Sequence, residues 1–326
     1  MDNNKKRSNR SSKKPKKKKI IILSVLAFIL IIAAIGIGYA YALLHKVDTV
    51  KIDKQDLGVS QTVDEQYKDV TNIALFGIDA TDNEAGRSDA IMILTIDNKR
   101  NNVRLSSIMR DSYVNIKGHG EDKITHAYAF GGPELAISTL NTNFDLNIKD
   151  FATVNFSSLP KVINDLNGID INLTSGDLKY INGYIDSLNK VNNTSSPHNL
   201  TGTGVHHLDG TQALAYCRIR YDGGDQERTQ RQRTVLDALF QKIKATNKTK
   251  YPSILNELLP LVQTSLSSTD LLKLATNATS LSTLEQDRFP RDDNGKGATI
   301  KGVFYETFDK DLTTKQMHDF IFEDKK

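Results

Sequence analysis

The carboxylates and arginines that flank apolar runs are the residues of this 326-residue sequence with the clearest chemical potential. Asp79 directly follows the apolar run 72–78 (NIALFGI), and Asp89 directly precedes the run 90–96 (AIMILTI). Paired as adjacent antiparallel strands, these runs bring both carboxylates to one end of a sheet. Two oxygen donors there suit a hard divalent cation such as Mg²⁺. Arg87 stands two residues before Asp89, and Arg110-Asp111 follows a third run, 103–108 (VRLSSI), which carries Arg110 to the same edge.

A second cluster comprises Arg218, Arg220, Asp225, Arg228, Arg231, Gln232 and Arg233. An extended 217–221 turns Arg218 and Arg220 to one face and Cys217 and Ile219 to the other. In the helix expected at 228–244, Arg228 and Gln232 share a face at i and i+4, with Arg231 beside Arg228. Asp225, three residues before Arg228, is placed to cap that helix or to pair with the arginines. Five arginines fall within the sixteen residues 218–233, more than Asp222, Asp225 and Glu227 neutralise. Their planar, bidentate donors match phosphate oxygens, so the cluster reads as an anion site. Asp97, Asp111, Asp222 and Arg233 taken singly read as solvated surface. Cys217 has apolar neighbours and reads as a packed small side chain. As the one cysteine of the chain it excludes an internal disulfide. His206 and His207 are adjacent, which denies them the i, i+4 geometry of a metal pair, and Gly202-x-Gly204 lacks the rest of a dinucleotide fingerprint.

The elements that must position these residues alternate. Strands are expected at 72–78, 90–96, 103–108, 151–155, 169–173 and 300–305, with 97–102 (DNKRNN) as a hairpin turn. Helices are expected at 125–140, 159–166, 209–216 with Asp209 as N-cap, 228–244, and about 252–265 and 269–280. Residues 174–204, rich in Asn, Ser, Thr and Gly, read as a long surface excursion with little core. This pattern gives the class α/β or α+β.

Charge is unevenly placed. Of 43 Lys and Arg and 39 Asp and Glu, residues 1–19 hold ten bases and Asp2, which leaves 33 bases and 38 acids beyond, a net of −5. The basic pI therefore belongs to the tail and does not mark a nucleic-acid-binding domain. Residues 20–44 carry no charge over 25 positions. At ~1.5 Å per residue such a helix exceeds a hydrocarbon core of roughly 30 Å, and it is longer than the apolar region of about 7–15 residues of a cleaved signal peptide. It is expected to span the membrane with the basic tail inside and the remainder exported. The expected organisation is a cytoplasmic tail (1–19), a transmembrane helix (20–44), a stalk or a first strand with a linker (45–70) and an extracellular domain (71–326).

Five stretches, LFGID (75–79), RSDAIMILTID (87–97), SSIMRDSYV (106–114), KITHAYAFGG (123–132) and HHLDGTQALAYCRIRYDGGDQERTQRQR (206–233), resemble the LytR-CpsA-Psr family, with a motif core at 72–244. The resemblance implies an α-β-α sandwich with a central mixed sheet and a long hydrophobic pocket for a polyprenyl chain. Apolar residues of 135–140, 159–166 and 235–243 are candidates to line it. It implies transfer of an anionic glycopolymer, such as wall teichoic acid or capsular polysaccharide, from a polyprenyl-pyrophosphate carrier to peptidoglycan, a phosphotransferase reaction that forms a phosphodiester. By the same resemblance Asp79 and Asp89 bind the metal, Mg²⁺ or Mn²⁺. Arg87, Arg110, Arg218 and Arg220 surround the pyrophosphate, with Asp225, Arg228 and Gln232 completing the pocket. Asp89, Arg110, Arg218 and Arg220 are the expected catalytic residues. The expected location is a single-pass type II protein of a Gram-positive-type cell membrane, with peptidoglycan and the lipid-linked polymer as partners and no nucleic acid. A polyprenyl-pyrophosphate phosphatase and a non-enzymatic wall-associated regulator or scaffold are the alternatives. A transcription regulator disagrees with an exported domain.

Overall fold

The near-continuous apolar runs 72–78 and 90–96 fit strands of a sheet buried on both faces, and the computed structural model contains one. It describes residues 47–79, 86–155, 158–220, 224–247, 256, 259–267, 269–271, 273–274, 284–323 and 325. The seven strands of the central sheet lie in the spatial order β1 (Asp48–Thr49), β10 (Val262–Thr264), β7 (Asp150–Asn155), β2 (Val70–Asp79), β3 (Arg87–Asp97), β4 (Asn102–Ile108), β11 (Leu284–Phe289). β2, β3 and β4 form an antiparallel meander, while β7 joins β2 and β11 joins β4 in parallel, so the sheet is mixed. The turn after β3 closes through Asn101 in the left-handed region (φ 54°). Among the described residues there are also three two-stranded sheets: β5 (Tyr113–Ile116) with β6 (Gly120–Lys123), β8 (Ile169–Leu173) with β9 (Gly204–Leu208), and β12 (Lys296–Ile300) with β13 (Val303–Thr307).

Strand parity divides the core. Ala74 and Phe76 of β2, Ile91 and Ile93 of β3 and Phe151 of β7 face one side. There they meet α1 (Gln61–Gln66), α2 (Ile124–Phe144) and α7 (Lys310–Ile321). Arg104 of β4, fully buried, donates to the Ile321 carbonyl at 3.1 Å and lies 3.6 Å from Glu285, tying the C-terminal helix to the sheet. The opposite parity, Leu75 and Gly77 of β2 with Ala90 and Met92 of β3, faces α6 (Gly224–Ala245). A separate core joins α3 (Leu159–Asp165), β8, α4 (Ser175–Asn192), β9, α5 (Gly210–Arg218) and α6. At Gly210 the first turn of α5 presses onto α3 so closely that a Cβ would stand 2.0 Å from the Pro160 carbonyl oxygen.

Several elements differ from the sequence expectation. Residues 174–204 contain α4, whose Ile181, Ile185 and Leu188 are buried at helical spacing. Thr174 and Asp177 cap it reciprocally. Its intervening Asn, Ser, Gly and Lys dilute the mean hydropathy and hide the stripe. In the stretch expected as a stalk, or as a first strand with a linker, β1 joins the sheet edge and Leu57 and Val63 enter the core. Residues 262–264 are strand where helix was expected, and 300–305 spans the turn of the β12–β13 hairpin. α5 continues through Arg218, so 217–221 is not one extended segment. α6 starts at Gly224, which puts Asp225 inside its first turn. The helix through 124–144 breaks at Gly131-Gly132-Pro133, where Gly132 has φ 64°. The apolar run 20–44 lies outside the described residues, and among the described residues no helix is long and apolar enough to cross a membrane.

Candidate functional site

The sheet meander places Asp89 near one end of β3, two residues beyond Arg87, whose register partner is Asp79. The side chains of Asp79 and Asp225 lie outside the described residues, and Arg87 is exposed. Arg110 lies two residues past β4. Its backbone is fixed because Met109 N–H donates to Phe289 O at 2.9 Å and Thr125 N–H donates to Arg110 O at 3.1 Å. From there Arg110 Nη1 donates to Asp89 Oδ1 at 2.5 Å. Arg228, buried in α6, donates through Nη2 to the Asp89 carbonyl at 3.3 Å. Arg220 Nη2 comes within 3.9 Å of Asp89 Oδ2 from an exposed position after α5. Among the described residues, three guanidiniums from three separate segments thus converge on one acidic residue. Arg218 closes α5 two positions before Arg220, partly buried.

Asp111 and Lys123 extend this cluster. Arg110 Nε is 3.7 Å from Asp111 Oδ2, and Lys123 Nζ is 2.7 Å from Asp111 Oδ1. Asp111, expected as solvated surface, is therefore buried in an ion-pair chain. Lys123 was missed by sequence reasoning. Its signal was its place at the head of KITHAYAFGG, immediately before α2.

Two arginines leave the cluster. Arg231 turns to Asp177 on α4, Nε to Oδ1 at 2.7 Å, with both side chains buried. Arg233 donates to the Asp287 carbonyl at 3.4 Å and to Gln230. Burial, followed by the nearby charge of Arg288, pulls its pKa down to about 10. Both are ties within the fold.

Beside the cluster, between β7-β2-β3 and α6, lies a cavity of about 290 Å³. Ala90, Met92, Ala152 and Val154 form its sheet wall and Val235, Leu236 and Leu239 its helix wall, with Leu159 and Val162 of α3 closing one side. Gln232, one turn after Arg228, is a polar side chain in its wall. Polar and apolar sections therefore follow each other along two elements, Asp89 then Ala90 and Met92 on β3, Arg228 then Gln232, Val235 and Leu239 on α6. Of the three apolar stretches expected to line a pocket, 159–166 and 235–243 contribute. Residues 135–140 do not, because α2 covers the other face of the sheet. Cys217 also lines the cavity, and burial pushes its thiol up to about 12 against the opposing charges of Arg218 and Arg228. It is a neutral wall residue at ordinary pH.

These features define a mixed α/β domain with an acidic residue, Asp89, met by arginines at the edge of an apolar cavity. The chain belongs to the LytR_cpsA_psr family, whose model matches residues 39–319. It is 33% identical over 258 residues, 76% of this chain and 78% of the relative, to the polyisoprenyl-teichoic acid–peptidoglycan teichoic acid transferase TagU of Enterococcus faecalis. It is 32% identical over 293 residues, 86% of this chain and 87% of the relative, to the corresponding transferase TagT of Bacillus subtilis. A solved structure of the LytR-CPS2A-psr family protein YwtF (TagT) with bound octaprenyl pyrophosphate lipid superposes with a TM-score of 0.59 at 30% identity, covering 78% of this chain and 91% of that one.

Proposed function

We propose that this chain transfers an anionic glycopolymer from a polyprenyl-pyrophosphate carrier to peptidoglycan. The observation that carries the reading is the juxtaposition of the Asp89–Arg110–Arg228 cluster with the apolar cavity. An amphiphile with an anionic head and a hydrocarbon tail is the ligand that uses both. The names of the relatives and the lipid bound to YwtF support the same donor and acceptor.

The reaction is a phosphoryl-linked transfer. An acceptor hydroxyl, by family resemblance the C6 hydroxyl of N-acetylmuramic acid, attacks the polymer-proximal phosphorus. The bond from that phosphorus to the bridging oxygen breaks, polyprenyl phosphate leaves with the bonding pair, the hydroxyl proton passes to solvent or to the departing phosphate, and a phosphodiester remains. Catalysis of this kind rests on positioning and on neutralising charge at the phosphate oxygens. Arg110, Arg218, Arg220 and Arg228 supply that charge, Arg87 and Gln232 contact the head group, and the cavity takes the first part of the chain. Asp89 holds Arg110 through Oδ1. Asp79 and Asp89, at one sheet end, are the hard oxygen donors that Mg²⁺ or Mn²⁺ takes. Among the described residues no group of three or more His, Cys, Asp or Glu gathers there. Two carboxylates with phosphate and water completing the shell is the habit of Mg²⁺, and that chemistry is what supports the ion in this reading. When bound, the ion neutralises charge on the pyrophosphate. Residues 20–44 anchor the chain as a type II membrane protein, holding the site at the outer leaflet where the lipid donor is confined.

The test is reconstitution of the full chain in lipid nanodiscs with a polyprenyl-pyrophosphate-linked glycan and soluble peptidoglycan strands. The expected product is a phosphodiester-linked conjugate together with polyprenyl phosphate. Release of the glycan phosphate at the same rate with and without strands assigns a phosphatase instead.

The cavity makes a separate prediction. Ala152→Phe fills part of the space between β7 and α6. The KM for long-chain donors is expected to rise about tenfold or more, while a donor whose lipid is cut back to a single carbon, with no isoprene unit, is unaffected. An equal change for both chain lengths removes the cavity from lipid binding.

A further inference from the structure

Phosphoryl transfer by in-line displacement sets a geometric demand: the acceptor enters opposite the leaving group. On the proposed function, on which this inference rests, polyprenyl phosphate leaves toward the cavity on the α6 face of the sheet. The acceptor therefore approaches from the α2 side of the Arg110–Asp111 pair. That side carries a polar and aromatic surface that the reaction described so far leaves unused.

His126 Nδ1 lies 2.8 Å from Asp122 Oδ2, one turn apart across the start of α2. Tyr305 donates from its hydroxyl to the other Asp122 oxygen at 3.4 Å, and Lys123 Nζ sits 5.7 Å from the Tyr305 ring centre. Lys123 is the residue that holds Asp111, so this surface is joined to Arg110 by two ion pairs. It is joined again through Thr125, which donates its hydroxyl to Ser88 O at 2.9 Å and its N–H to Arg110 O. At the rim, Phe130 is 45% exposed, stacked on His119 at 4.3 Å and tilted against His126 at 5.8 Å. An aromatic ring left open to solvent beside a planar carboxylate–imidazole pair is matched to a saccharide. The ring covers an apolar C–H face, and the carboxylate and imidazole hydrogen-bond the hydroxyls at its edge.

We propose that Asp122, His126 and Phe130, with Tyr305 behind them, form the acceptor subsite and bind the sugar ring of a peptidoglycan glycan strand. They hold the acceptor sugar by direct contact and do not touch the donor phosphate.

The test uses the full chain in nanodiscs and a soluble, uncrosslinked strand of alternating N-acetylglucosamine and N-acetylmuramic acid. Direct titration should show binding to the wild type, with a loss of about tenfold in Phe130→Ala and in His126→Ala, and recovery in Phe130→Tyr. Affinity for a polyprenyl-pyrophosphate donor should match the wild type in all three. In turnover, the acceptor KM should rise by the same factor with kcat near the wild-type value. Absence of strand binding by the wild type, equal binding by Phe130→Ala and His126→Ala, or a parallel loss of donor affinity each overturns the subsite. Strand binding with these variant effects but no conjugate formed leaves the subsite standing and overturns the transferase reading.

Discussion

Arg228→Ala is expected to lower the rate of glycan transfer by about 10²–10³-fold, the loss typical of removing one fixed donor to developing charge at a water-poor site. Arg228 is 2% exposed and anchored through Nη2 to the Asp89 carbonyl. It sits one helical turn from Gln232 at the cavity, so its charge acts where solvent screening is weakest. Arg228→Lys should recover little of the rate. A lone ammonium presents no planar fork, so it is not able both to hold the Asp89 carbonyl and to offer a parallel pair of N–H groups to phosphate. The measurement is single-turnover transfer with saturating acceptor, run at a temperature where thermal melts show each variant folded. A folded Arg228→Ala that transfers at the wild-type rate would sink the assignment.

Arg220 provides the contrast. It is half exposed and 3.9 Å from Asp89, an approach that solvent screens strongly. The two arginines lie in one sequence cluster, yet burial separates their expected energetic weight.

The parts of the fold legible in the sequence were those with a strong local period. The β2–β3–β4 meander follows from apolar runs of strand length around a turn rich in Asn, and the capped start of α5 from Asp209. α4 was illegible because its buried stripe of Ile181, Ile185 and Leu188 is thin and the rest of the helix is polar. The three-residue β10 was illegible for another reason: it is strand because β7 and β1 pair with it, a tertiary cause that leaves little local trace. The site divides in the same way. Types and spacing selected Asp89, Arg110, Arg220 and Arg228, which the fold gathers from β3, the end of β4, the end of α5 and α6. Spacing alone did not separate Arg228 from Arg231, because a helix sends residues three apart to directions that only the packed partner decides. Nor did it select Lys123 or His126, whose meaning comes from Asp111 and Asp122 beside them.

That separation yields the second large prediction. Arg231 and Asp177 form an ion pair between α6 and α4 with side-chain exposures of 5% and 4%. Asp177 also accepts from the Thr174 N–H at 2.8 Å and the Thr174 hydroxyl at 2.7 Å, so one carboxylate caps α4 and receives Arg231. Arg231 further donates to the Ile219 carbonyl at 3.5 Å, which holds the strand-like residue between Arg218 and Arg220. Arg231→Ala leaves the Asp177 charge buried without its counter-ion, a change that costs about 3–5 kcal/mol and should lower Tm by about 10 °C or more. Arg231→Met combined with Asp177→Leu should recover much of that loss, since the cost lies mainly in the orphaned charge. The fraction of Arg231→Ala that remains folded at low temperature should transfer glycan at a rate far closer to the wild type than Arg228→Ala does. A variant with unchanged Tm and a rate as low as that of Arg228→Ala would reverse the two roles and place Arg231 among the phosphate arginines. The ion pair predicts the opposite ordering because a guanidinium bonded to Asp177 on one helix and Ile219 behind another has its donors directed away from Asp89.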